Sequence, residues 1–291
     1  MTTRLIVNAD DFGLTSGVNR AIMELHAAGG VLTSATLMAR AAATDEAIEI
    51  ARATPSLGVG CHVVLVDGEP ILSAEKNIPN TSDRQQRFLP KLGQFLARIH
   101  TQSTAEAQRE IEMEARAQIE LLLSRGLRLT HVDTHKHTHM FPLVLRPVLR
   151  AARSCGIRAV RNPFEPGWSV RATPSAPTAR RIQVGLLRLL ESRFRRIVAD
   201  EGFATTAGAI GVVATGTLNQ AAMGSLLRAL PANGATYELV THPGYNDADL
   251  AHANTRLLDS RETERQALLT LRGATNVDLI SFAQLGASDN R

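Results

Sequence analysis

The sequence predicts an α/β protein built as a closed or nearly closed parallel barrel of roughly seven or eight strands, with a doubly wound open sheet as the alternative. Two observations carry this. Short β-branched runs alternate with segments of helical period, which is how βα units look in sequence. In addition, Asp10, Asp11, His62, Asp133, His135, Arg161 and His242 all fall at or just past the C-terminal end of a predicted strand. In a barrel those ends converge on one mouth, where active sites lie.

Leu5-Ile6-Val7 reads as the first buried strand. Thr15 or Ser16 caps a helix through Val18, Ile22 and Leu25 that stops at Gly29-Gly30. Val31 to Met38 is the next strand, Thr44 caps a helix through Ala47, Ile48 and Ala51, and Leu57 to Val64 follows as a third strand. Residues 66–100 carry Gly68, Pro70, Pro79 and Pro90 with little regular period, and read as an insertion over one face of the barrel. Ser103 with Glu106 forms a capping-box pattern ahead of a helix through Ile111, Ala115, Ile119 and Leu122 that ends near Gly126. Leu127 to Val132 is a strand, and a helix from about Phe141 to Ser154 follows. Pro142 suits that helix's first turn, whereas Pro147 falls inside it and predicts a kink. Ile157 to Val160, Ala209 to Ala214, Thr236 to Thr241 and Val277 to Ser281 complete the strands. Helices capped near Thr217 and running from about Arg261 to Leu271 fill the intervals. The expected organisation is one domain over residues 1–291 with insertions at about 66–100 and 162–205.

Composition removes several classes. A hydrophobic share of 44% with 21% charged residues argues against disorder and fibrous folds. No apolar run reaches ~18 residues, so a transmembrane helix is not expected. No long apolar segment precedes Asp10, so a cleavable signal is not expected and the cytoplasm is the expected compartment. Cys61 and Cys155 form neither a disulfide scaffold nor a CxxC pair. A net charge of +4 is too weak to imply nucleic acid, and 4% aromatics leaves little for base stacking.

Four segments carry chemistry. In Asn8-Ala9-Asp10-Asp11-Phe12-Gly13, two adjacent carboxylates follow an apolar strand. One can bind a metal while the other acts as a base, although Asp and Gly also suit a plain turn. In Gly60-Cys61-His62-Val63-Val64 the histidine is either a ligand or a satisfied core residue. His131-Val132-Asp133-Thr134-His135-Lys136-His137-Thr138-His139 is the strongest local signal, since four of the nine histidines lie there beside a carboxylate. An extended chain would put His135, His137 and His139 on one face, and a solvated loop is the alternative. Val240-Thr241-His242-Pro243-Gly244-Tyr245 places a histidine at a strand end. HExxH, GxSxG, P-loop and GxGxxG patterns are absent from the sequence.

Together these segments resemble the YdjC-type carbohydrate deacetylases, relatives of the NodB-type polysaccharide deacetylases. The matching pieces are NADDFG, LGVGCHVVL, THVDTHKHTHMFP and THPGY, in that order along most of the chain. GEPIL, IPN, THPGYND and the downstream SRETE resemble most the hopanoid-biosynthesis-associated branch (HpnK). The resemblance implies a distorted, TIM-like (β/α) barrel of about seven strands holding one divalent metal, Zn2+ or Mg2+. It implies Asp11, His62 and His135 as ligands, Asp10 as general base and His242 as the acid that protonates the leaving amine. Asp133, His137 and Arg161 would sit behind the ligands or face substrate.

The substrate implied is an N-acetylglucosamine unit carried on a glycolipid such as an acetylglucosaminyl hopanoid. The alternatives are a chitooligosaccharide deacetylase of soluble sugar catabolism and a non-catalytic sugar-lipid binder. Residues 178–198 bear on this choice. They hold six arginines against one glutamate, with Ile182, Leu186, Leu189, Leu190, Phe194 and Ile197 at helical spacing. Such a stretch suits peripheral contact with the inner membrane, or else an outer barrel helix with a solvated arginine face. A homo-oligomer is a further expectation left open by the sequence.

Overall fold

The computed structural model describes residues 2–271 and 277–285, except 28–29, 73–80, 84, 86, 102, 174 and 254. Among the described residues, seven strands form one curled parallel sheet. They are β1 (Arg4–Phe12), β2 (Ser34–Leu37), β3 (Gly58–Val63), β4 (Val132–Thr134), β5 (Ala209–Ile210), β6 (Thr236–Thr241) and β7 (Asp278–Leu279). The order is β4-β3-β2-β1-β6-β5, and β7 pairs with the start of β1. β1 is buried along its length apart from Arg4, as a strand covered on both faces must be.

The gap between β4 and β5 is closed by residues 157–164 without a regular strand. Val132 N donates to Ala159 O, Arg161 N to Val132 O, Val160 N to Ala204 O and Ala209 N to Phe164 O. The result is a distorted (β/α) barrel with helices outside. The strand expected at Ile157 to Val160 is thus reduced to bridges at Ala159 and Val160.

Outer helices bury one stripe against the sheet. The helix Thr104–Ser124 does so with Ala107, Ile111, Ala115, Ile119 and Leu122, and the Ser103 side chain accepts from Glu106 N at its start. Two polar residues of that helix are also buried for a reason. Gln118 exchanges hydrogen bonds with Val64 N and O, and Glu114 accepts from Ile71 N and Leu72 N. They pin the chain that leaves β3.

Several element boundaries differ from the sequence expectation. β4 starts at Val132, because residues 127–131 contact β3 only through scattered bonds such as Thr130 N to Val59 O. β5 ends at Ile210, because Gly211 (φ +87°) turns the chain and accepts from Ala214 N. Leu92–Thr101 is a helix within the stretch expected to be irregular. The following helix, Gln220–Arg228, is capped by Asn219, which accepts from Ala222 N, and not by Thr217. Thr44 opens its helix as expected, but the cap position is Ala43 and the Thr44 hydroxyl donates to Met38 O instead. Pro147 lies inside Pro142–Ser154. Part of the 66–100 stretch, residues 73–80, lies outside the described residues.

Candidate active site

Strand alternation should send Asp10 and Asp11 to opposite faces. A β-bulge prevents this. β1 pairs Ala9 with Ala35 and Phe12 with Leu37, so it spends one residue more than β2 across that interval. Asp11 takes up the excess at φ 62°, in the left-handed region that aspartate tolerates better than most residues. Both carboxylates consequently reach the barrel mouth.

The ladder supplies the next pair. His62 on β3 lies in register with Asp133 on β4, and His62 Nδ1 stands 2.8 Å from Asp133 Oδ1. That contact leaves His62 Nε2 facing the mouth, 3.3 Å from His135 Nδ1 and 3.5 Å from Asp11 Oδ1. Asp11 Oδ1 is also 3.5 Å from His135 Nδ1. Three donor atoms therefore form a triangle with nearly equal edges. A tetrahedral centre with bonds of about 2.0–2.1 Å sets its ligands about 3.3–3.4 Å apart, so two imidazoles and one carboxylate oxygen fit a zinc-like ion. His135 remains 21% exposed, which leaves one side of the triangle open.

Behind the triangle lies a buried ionic network centred on Arg161. Arg161 donates to both Asp10 oxygens at 2.8 and 2.6 Å, to Glu238 at 2.7 Å, and contacts Asp133. Asn8 Nδ2 and the Thr36 hydroxyl also donate to Asp10 Oδ1. Burial opposes ionisation of Asp10, but Arg161 and then His62 outweigh it and hold the carboxyl well below its usual range. Asp11 behaves likewise, with Arg261 overcoming burial through a 2.5 Å bond to Oδ2. Burial would depress His62, yet Asp133, Asp10 and Asp11 prevail and push it up to about 9. The surroundings of His62 therefore favour positive charge.

His242 follows β6, with Nε2 3.8 Å from Asp10 Oδ2 and Nδ1 3.9 Å from Glu264 Oε2. Its backbone N donates to Glu264 at 2.6 Å. Burial lowers its pKa to about 4, so the ring is neutral at physiological pH. Its side chain is 12% exposed, so it reaches the mouth.

The histidine-rich loop divides its labour. His135 joins the triangle. His131 lies on the barrel floor, stacked on Phe282 at 3.7 Å. His139 is structural, sharing bonds with the Thr134 hydroxyl and Arg161 O. His137 is turned inward near His139, its Nδ1 without a hydrogen-bond partner among the described residues. The one-face arrangement expected for an extended segment does not occur. Residues 135–140 form a tight 3₁₀ stretch, and Lys136 and His137 take φ of 55° and 52°. A salt bridge of 2.7 Å from Lys136 to Asp67 ties this loop to the one after β3.

All eight sequence-selected residues, Asp10, Asp11, His62, Asp133, His135, His137, Arg161 and His242, thus lie at or beside one mouth. Sequence reasoning passed over Glu238, Arg261 and Glu264. Glu238 carried a signal, as a charge inside the strand Thr236–Thr241. The other two sit on the helix Asp259–Leu269 at the spacing of one turn, a signal indistinguishable from an ordinary charged helix.

The chain matches the model of the YdjC-like protein family over residues 4–273. A carbohydrate deacetylase of Brevibacillus brevis is 39% identical over 161 residues, 55% of this chain and 60% of that protein. One of Mus musculus is 34% identical over 249 residues, 83% of this chain and 78% of that protein. One of Listeria monocytogenes is 27% identical over 97% of this chain and 100% of that protein. The chain thus spans about 60% of the length of several curated relatives it matches. A crystal structure from Enterococcus faecalis, described as a candidate cellobiose-phosphate cleavage protein, superposes with a TM-score of 0.71 at 24% identity. It covers 97% of this chain and 98% of that one, a likeness of fold.

Proposed function

The chain belongs to the YdjC-like family, and from that premise we propose that it is a metal-dependent N-deacetylase hydrolysing the acetamide of an N-acetylated sugar. The observation that carries the reading is the Asp11–His62–His135 triangle with a paired carboxylate and a histidine, Asp10 and His242, on its flank. A divalent ion held by the triangle would polarise the amide carbonyl and lower the pKa of water. Two imidazoles and edges of 3.3–3.5 Å favour zinc over magnesium, which prefers oxygen donors.

The chain's own residues then divide the proton work. Asp10 is ionised and oriented by Arg161, and takes a proton from the attacking water as its oxygen bonds to the carbonyl carbon. The carbon–nitrogen bond breaks with a proton delivered to the amine by His242, leaving acetate and a free amino sugar. Since His242 starts neutral, it needs a proton from within the cycle, and the proton that Asp10 takes from water is its source; at 3.8 Å the two side chains must close by about 1 Å, or share a bridging water, for that transfer. Asp133 fixes the His62 ring so that Nε2 faces the triangle. The Nδ1 of His137 is buried without a partner among the described residues, so His137 is assigned no contact with the sugar.

Within this reading we assign the substrate to a glycolipid of the acetylglucosaminyl hopanoid type, met at the cytoplasmic face of the inner membrane. The support is the sequence likeness to the hopanoid-associated branch. Of its pieces, Ile78-Pro79-Asn80 lies outside the described residues. The second reading is a soluble chitooligosaccharide deacetylase, with which the relatives' name, carbohydrate deacetylase, is equally compatible. A silent binder would need neither a paired base nor a metal triangle. Acetate release from chitobiose, free N-acetylglucosamine and an N-acetylglucosaminyl lipid, with added zinc or magnesium, separates them. Faster turnover of the lipid supports the first reading, and faster turnover of chitobiose the second. No release from any of the three removes the deacetylase reading.

A further inference from the structure

An outer barrel helix normally turns its apolar residues inward and its charges to solvent. Residues 178–190, comprising the helix Thr178–Leu187 and the turn Arg188–Leu190, turn large apolar residues to solvent as well. Val184 is the buried contact, packed with Ala176 and Val213. Ile182, Leu186 and Leu189 lie on the opposite face and are 59%, 62% and 77% exposed. Three of the five large apolar residues exposed among the described residues are therefore gathered on one short segment, while Met113 and Leu258 stand elsewhere. Contiguous exposed apolar residues mark interaction surfaces more often than scattered ones do.

Arginines flank this stripe. Arg181 and Arg188 lie on the same segment, and Arg193 and Arg196 one to two turns further on. With Arg146, Ser192 and Ile197, the last two line an open depression of about 480 Å³. Arg181, Arg193 and Arg196 make no ion pair among the described residues, whereas Arg188 stands 3.8 Å from Glu191. The segment also sits at the barrel mouth. Val213 and Val212 follow directly on the C-terminal end of β5; Val184 packs on the first, and Arg180 donates to the carbonyl of the second.

We propose that the outward face of residues 178–190 is a docking surface for an anionic lipid bilayer, seated at the rim of the site. The three apolar side chains enter the boundary between headgroups and acyl chains, and the arginines meet lipid phosphates. Charge complementarity selects this occupant over a second copy of the chain, since a two-fold contact through this patch would set arginines against arginines. The inference concerns where the protein works, and stands whether or not the site hydrolyses an amide.

The test is flotation of the full chain with vesicles of phosphatidylcholine alone or mixed with phosphatidylglycerol, over a salt series. Binding should require phosphatidylglycerol and weaken as salt rises, because exposed charges are screened beyond ~10 Å at about 0.1 M. The double variant Leu186→Ser, Leu189→Ser should lower partitioning roughly tenfold or more and keep the wild-type unfolding temperature, since both side chains are exposed. Absence of flotation with anionic vesicles overturns the proposal, as does flotation that the double variant leaves unchanged. A concentration-dependent dimer abolished by the same variant, without vesicle binding, assigns the face to a second copy instead.

Discussion

Asp10 and Asp11 are neighbours in sequence with different surroundings. Asp10 has both oxygens committed to Arg161, whereas Asp11 gives Oδ2 to Arg261 and keeps Oδ1 for the triangle. Asp10→Asn is therefore expected to keep the metal and lose ~10²–10⁴-fold in rate, as removal of a general base does. Metal analysis beside kinetics checks this. Loss of metal from Asp10→Asn, with metal retained by Asp11→Asn, would exchange the two roles. That Asp10, Asp11, His62, His135 and His242 come together was legible in the sequence, because each falls at the end of a predicted strand and strand ends meet at one mouth. The partners were less legible. Arg261 and Glu264 come from a helix that reads as an ordinary polar surface, and only the packed structure brings them 2.5 Å from Asp11 and 2.6 Å from His242 N.

At the scale of elements, the strands and helices that are long or strongly periodic were readable, and the irregular ones were not. The bulge in β1 and the left-handed pair at Lys136 and His137 leave no periodic trace, yet they aim Asp11 and His135. Tight packing beneath the site is also invisible in sequence. A Cβ on Gly60 would lie 2.5 Å from the His131 ring, which also stacks on Phe282. Gly60→Ala is thus expected to destabilise the protein by about 1–3 kcal/mol, the usual cost of overpacking a core. Pairing it with His131→Ala should recover part of that loss. A full-strength Gly60→Ala protein in chemical denaturation would show that His131 can move aside.

For the whole molecule, the buried titratable groups set the response to acid. Burial lowers His131 and His137 to about 3 and His139 and His242 to about 4, against 6.5 when unfolded. Below pH 6.5 the unfolded chain takes up protons that the folded chain refuses, so stability falls as pH falls. Glu238 and Glu264 act oppositely, since burial raises both to about 7 from 4.5 and their contribution is lost as pH rises through that window. Burial raises Glu165 as well, and four imidazoles outweigh these three carboxyls. The metal-free protein should therefore lose Tm steadily from about pH 6.5 to 4.5, each unmatched proton costing about 1.4 kcal/mol per pH unit. A flat or rising Tm over that interval would mean that these rings are solvated. The curled parallel sheet with all chemistry at one mouth was legible as a whole, because strand-end placement repeats around the chain. Closure of the gap by residues 157–164 was not, because its hydrogen bonds go to partners distant in sequence. The central claim is that one divalent ion on Asp11, His62 and His135 is required for amide hydrolysis. Its most direct test is acetate release by chelated protein titrated with zinc, for wild type and His135→Ala. The account predicts no release before zinc, full release at one equivalent for the wild type, and little zinc bound or acetate released by the variant. Release by the thoroughly chelated wild type, or full zinc binding and activity in His135→Ala, would contradict it.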